Sequence, residues 1–84
     1  MVDVLFFASI REQLGLRKLA IELPSKAVSL ADFKQLLIDR HEPFWAQVLL
    51  ADNVVKAVNQ QVVDDSYSVA DGDEVAFFPP VTGG

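Results

Sequence analysis

Residues 71–84 read DGDEVAFFPPVTGG, and the fold turns on how that stretch divides. Asp71-Gly72 is a turn signal, because glycine takes the positive φ that tight turns demand. Glu74–Phe78 is apolar and aromatic after its first residue, as a strand requires. Pro79-Pro80 ends the strand, since neither residue has an amide hydrogen to give to a ladder. Val81-Thr82-Gly83-Gly84 is left over as a flexible tail, so one domain is expected over 1–80 with 81–84 outside it. Within the strand, Val75 and Phe77 point one way and Ala76 and Phe78 the other. Both faces are therefore apolar.

The opening of the chain has the same character. Val2–Ala8 (VDVLFFA) predicts a strand with Val2, Val4 and Phe6 on one face and Asp3, Leu5 and Phe7 on the other. Ser9 is placed to cap a short helical segment, Ile10–Leu14, and Gly15 to end it. Leu19–Leu23 (LAIEL) alternates as a second strand, stopped by Pro24. Ser29 opens the main helix, with Ser29 and Asp32 at the spacing of a capping box. Leu30, Phe33, Leu36 and Leu37 form its apolar stripe, while Lys34, Asp39 and Arg40 are expected to face away. Pro43 breaks or restarts that helix. Phe44, Trp45, Val48 and Leu49 continue the apolar cover to about Leu50. Val54–Val58 and Gln61–Val63 read as short strands joined near Asn59-Gln60, and Asp64–Ser68 as a polar turn.

Two strands, a helix and three strands predict an α+β domain: a mixed sheet of about five strands with one main helix on one face. A β-grasp satisfies this order if the first and last strands lie adjacent in the middle, although pattern alone does not fix the pairing. One helix cannot cover both sides of the sheet. Leu5, Phe7 and Phe78 are then expected on an uncovered apolar face of the kind that marks a protein interface, unless Trp45 or the Phe44–Leu50 segment wraps round to close it.

Composition narrows the function. The chain has 84 residues, 51% of them hydrophobic, and six phenylalanines, enough for one small core and too apolar for disorder. With no cysteine it has no disulfide, no thiolate metal site and no cysteine nucleophile. The lone histidine, His41, rules out a multi-histidine metal site and suits a structural place near a helix C-terminus. No metal site is expected: the late carboxylates Asp64, Asp65, Asp71, Asp73 and Glu74 fit turns and solvent, and DGDE is too short for a calcium loop. A net charge of −5 argues against nucleic acid. No run of about 18 apolar residues could span a membrane. A soluble cytoplasmic protein is expected.

The remaining chemistry lies in PPVTGG. Two prolines direct the chain away from the sheet, and two glycines without side chains can thread a narrow channel. A carboxylate there is a poor electrophile until an ATP-derived adenylate makes it acylating.

VLFFASIREQLG at the start, Ala57–Gln60 (AVNQ), and DGDEVAFFPPVTGG at the end resemble the small subunits of molybdopterin synthase across the whole chain. The resemblance implies a ubiquitin-like β-grasp whose Gly84 carboxylate is adenylated by a ubiquitin-activating-like adenylyltransferase using ATP. A sulfur donor protein then converts the adenylate to a thiocarboxylate. No cofactor is bound by the chain itself. Val81, Thr82 and Gly83 would thread the active site of a large subunit, where sulfur passes to cyclic pyranopterin monophosphate, within a heterotetramer. Phe7, Arg11, Phe78, Pro79 and Pro80 would contact that partner, Arg11 at the rim. A thiamine-pathway sulfur carrier, a ubiquitin-like modifier conjugated to lysines, and an adaptor without chemistry share parts of this pattern.

Overall fold

In the computed structural model, which describes residues 1–80, the first and last strands lie side by side and parallel at the centre of a five-stranded sheet. These are β1 (Val2–Phe6) and β7 (Glu74–Phe78), in register from Asp3 opposite Glu74 to Phe6 opposite Phe77. β2 (Lys18–Ile21) pairs antiparallel with β1, and β4 (Val55–Val58) pairs antiparallel with β7. β5 (Gln61–Val62) completes the order β2-β1-β7-β4-β5. The sheet is mixed, as the β-grasp reading requires.

The β4–β5 turn is made by Asn59 and Gln60, both with positive φ (50° and 70°), the conformation whose twist matches a two-residue hairpin. Asn59 also ties the turn to β7. Its backbone N–H donates to the Glu74 carbonyl (2.8 Å), its side-chain oxygen accepts from the Glu74 N–H (3.0 Å), and its amide donates to Asp73 (3.0 Å).

Among the described residues the main helix and two shorter ones cover one face. α1 (Ala8–Leu14) starts directly after β1, with extended Phe7 at its cap position and Ser9 already inside the first turn. Ser9 therefore does not cap it; the Phe7 carbonyl accepts from Ile10 and Arg11 instead. Gly15, at φ 69°, closes the helix by donating to the Arg11 carbonyl (2.9 Å). α2 (Leu30–Asp39) is capped by Ser29, whose Oγ accepts from the Asp32 N–H (3.1 Å). The N–H groups of Leu30 and Ala31 donate to the carbonyls of Tyr67 (2.8 Å) and Asp65 (3.0 Å). This brings together β3 (Ala27–Ser29) and β6 (Ser68–Ala70), a small second ladder that the sequence pattern did not predict. After Pro43, α3 (Trp45–Leu49) restarts the helical layer.

The core fills the space between helices and sheet. Val2, Val4, Phe6, Val75 and Phe77 meet Leu30, Phe33, Leu37, Trp45 and Leu49, all buried. Phe6 stacks on Phe77 (centroids 5.8 Å) and meets the edge of Trp45 (5.6 Å). His41 is structural: its ring lies flat on Trp45 at 3.9 Å, and its Nδ1 is 2.7 Å from the Leu37 carbonyl, to which it donates. Lys34 contradicts the expected solvated position. It is 6% exposed, with its Nζ 2.9 Å from Asp65, and Asp65 also takes Lys56 at 2.8 Å. Lys34 lies one helical turn from both Leu30 and Leu37, so its stem packs with the stripe while the ammonium reaches a carboxylate at the edge.

Candidate functional site

Register determines what the other face of the sheet carries. Lys18, Leu5, Ala76, Ala57 and Val62 form one row across all five strands. Toward the end where β7 meets Pro79, Phe78 sits opposite Val55, and Phe7 follows β1 beside it. In the other direction, Asp3 sits opposite Glu74 and Ala20. The face is thus graded: aromatic near the prolines, small and apolar in the middle, acidic at the far end.

Phe7 and Phe78 stack on each other with centroids 4.8 Å apart and planes 10° from parallel. Phe7 is 39% exposed, and Phe78 is half-buried. A depression of about 330 Å³ is lined by Leu5, Phe7, Ala57, Val62, Ala76 and Phe78, with Gln60 and Glu74 at its margin. A second, of about 410 Å³, runs from Phe7 and Phe78 over Val55 and Val62 to Pro79 and Pro80. Trp45 does not close this face; it is buried under the helices against Phe6. Phe7, Phe78, Pro79 and Pro80 are therefore brought together. Arg11 is exposed on α1 and lines an adjacent groove with Phe7. Val81, Thr82, Gly83 and Gly84 lie outside the described residues.

Of the floor residues, Ala76 was already placed beside Phe78 by alternation, whereas Val55, Ala57 and Val62 were not anticipated. The types of these three gave no signal, and only the strand register shows that they share the face. Among the described residues there is no cluster of histidine and carboxylate side chains able to hold a metal ion, and no helix long and apolar enough to cross a membrane. Three carboxylates are held below their usual range by local partners: Asp64 by Ser66, Asp65 by Lys56 and then Lys34, and Asp71 by the N-terminal ammonium. None of them lines the apolar face. Among the described residues that face carries no acid–base set, and its geometry suits holding another protein.

Known proteins share this architecture. The molybdopterin synthase sulfur carrier subunit of Escherichia coli is 40% identical over 84 residues, covering the whole of both chains. The crystal structure of SAMP1 from Haloferax volcanii matches with a TM-score of 0.79 at 25% identity, over 99% of this chain and 98% of that one. A protein–protein complex of subunits 1 and 2 of molybdopterin-converting factor from Helicobacter pylori contains a chain with a TM-score of 0.66 at 25% identity, over 99% of this chain and 97% of that one. The sequence profile of the ThiS family matches residues 4–84, tail included, and the chain belongs to that family.

Proposed function

We propose that this chain is the sulfur carrier subunit of a molybdopterin synthase, working through the carboxyl group of Gly84. The observation that carries the proposal is the place of the apolar face: its aromatic end, Phe7 and Phe78, adjoins Pro79-Pro80, from which Val81–Gly84 continue. A partner seated on that face takes up the tail at the same time. The full-length likeness to a sulfur carrier subunit supports the same assignment, and the Helicobacter pylori complex supports a large subunit as the partner.

In this proposal the Gly84 carboxylate attacks the α-phosphorus of ATP on an activating enzyme, and pyrophosphate leaves. Sulfide-level sulfur, supplied as HS⁻ by a donor protein, then attacks the acyl carbon; the acyl–phosphate bond breaks, AMP leaves with the bonding pair, and loss of the thioacid proton gives the thiocarboxylate. The thiocarboxylate sulfur is the nucleophile toward cyclic pyranopterin monophosphate in the large subunit, and Val81, Thr82 and Gly83 lead it there. The proposed assembly is a cytoplasmic heterotetramer. ATP belongs to the activating enzyme, and the carrier itself holds no cofactor.

Incubation with activating enzyme, ATP and a sulfur donor is expected to add about 16 Da, one oxygen exchanged for sulfur, to the C-terminal peptide and to no other. Deleting Gly84, or adding one residue after it, is expected to abolish transfer and leave the circular dichroism spectrum unchanged. Transfer by the extended chain would overturn the mechanism.

A further inference from the structure

Beside the apolar face lies a groove of about 380 Å³ with a different character. Leu5 and Phe7 give it apolar surface, and Phe6, Arg11, Arg17 and Lys18 complete its lining. The chain has seven basic residues against twelve acidic ones, so three cations converging on one groove is a marked segregation of charge. The others are dispersed or engaged. Lys34 and Lys56 both pair with Asp65, and Arg40 donates to the Glu22 carbonyl. Among the described residues the ion pairs are those of Asp65 and of the N-terminus with Asp71, and none engages Arg11, Arg17 or Lys18.

We propose that this groove receives an acidic, Asp/Glu-bearing segment of the same protein that covers Leu5, Phe7 and Phe78. The inference rests on the docking face proposed above and extends it across β1 to the β2 edge. Continuity supports it: Leu5 and Phe7 line both the groove and the adjoining depression, so a partner seated on one meets the other. Register supports it as well, because Lys18 lies directly opposite Leu5 and so stands on the docking side of the sheet. Keeping a sheet edge from pairing with other strands would account for Lys18 alone. It does not account for Arg11, which arrives from α1. Cations beside an apolar surface strengthen as water leaves, and their complement across an interface is carboxylate. A nucleic-acid occupant is disfavoured by the net charge of −5.

The test is binding of the large synthase subunit to the full chain at about 50 mM and about 300 mM salt, where screening differs strongly. Arg17→Ala/Lys18→Ala is expected to weaken binding about tenfold at low salt, mainly through slower association, with a smaller loss at high salt. Arg17→Glu/Lys18→Glu is expected to weaken it further. Both residues are exposed, and an unchanged circular dichroism spectrum checks the fold. Phe78→Ala separates the two ideas, since it is expected to weaken binding at both salt concentrations. If it does so while the double alanine variant binds like the parent at both salts, the groove proposal is overturned and the docking face stands. If Phe78→Ala binds like the parent, the docking face fails, and the groove proposal fails with it. Inorganic phosphate, added at constant ionic strength, is expected to have no effect. If phosphate matches the loss of the double variant, the groove is a small-anion site and the proposal is overturned.

Discussion

Lys34 and Asp65 show how a charged residue can belong to a core. Lys34 is 6% exposed, and its ammonium is met by a carboxylate whose side chain is 46% exposed. Removing the carboxylate leaves a buried cation without its partner. Breaking a fully buried pair costs about 3–5 kcal/mol, and water around Asp65 lowers that here, so Asp65→Asn is expected to cost about 1–2 kcal/mol in urea unfolding. Trp45 fluorescence reports the transition, because the indole is buried beneath the helices. The sign of the pH dependence follows from Lys56 and then Lys34, which hold the Asp65 carboxyl below its ordinary 3.8. The stabilisation is complete above that value and is lost as pH falls through the lowered folded value. The gap between parent and Asp65→Asn is therefore expected to be constant near neutral pH and to close in strong acid. A gap that widens in acid would contradict the pairing. The sequence held half of this arrangement. Position 34 lies on the apolar stripe with Leu30 and Leu37, but the lysine charge argued for solvent, and nothing local marks Asp65, 31 residues away, as its partner.

The two central strands separate structure from function in neighbouring residues. Phe77 is fully buried and stacks on Phe6, whereas Phe78, next in sequence, faces the other way and stacks on Phe7. Phe77→Ala is expected to cost about 3–5 kcal/mol, a large part of the stability of a small domain. Phe78→Ala is expected to cost about 1 kcal/mol or less while weakening association with the large subunit. Denaturation and binding measured on the same two variants check this. Equal stability losses would mean that the face is not free. Alternation in VDVLFFA and EVAFF made these faces legible, because a period of two places each side chain as soon as one is assigned to the core. The ladder between Ala27–Ser29 and Ser68–Ala70 was not legible, since three residues are too few to show a period and the pairing is fixed by the approach of α2 to the Asp65–Tyr67 loop. The Ser9 cap failed for a related reason: β1 runs straight into α1, and Phe7 occupies the cap position.

At the scale of the molecule, the order β2-β1-β7-β4-β5 places the first and last strands at the centre of the sheet. The expectation that the first and last strands are adjacent came with the β-grasp arrangement, since pattern alone did not fix the pairing. Alternation had placed Leu5 and Ala76 on the uncovered face, and the register adds Ala57 and Val62 to its floor. A chain ending at Asp73 lacks the partner of both β1 and β4 and is expected to show no cooperative thermal transition. A chain ending at Pro80 is expected to keep one. Calorimetry on the two truncations distinguishes β7, which the fold needs, from the tail, on which the proposed chemistry rests. The central place of β7 also has a consequence during synthesis. Strands made early wait for β7, so the sheet cannot close until Phe78 has been made. Premature termination anywhere before Phe78 leaves the docking face unbuilt along with the missing tail. Under the proposed function, an unfinished chain then has no means of occupying a partner that it could never supply with sulfur.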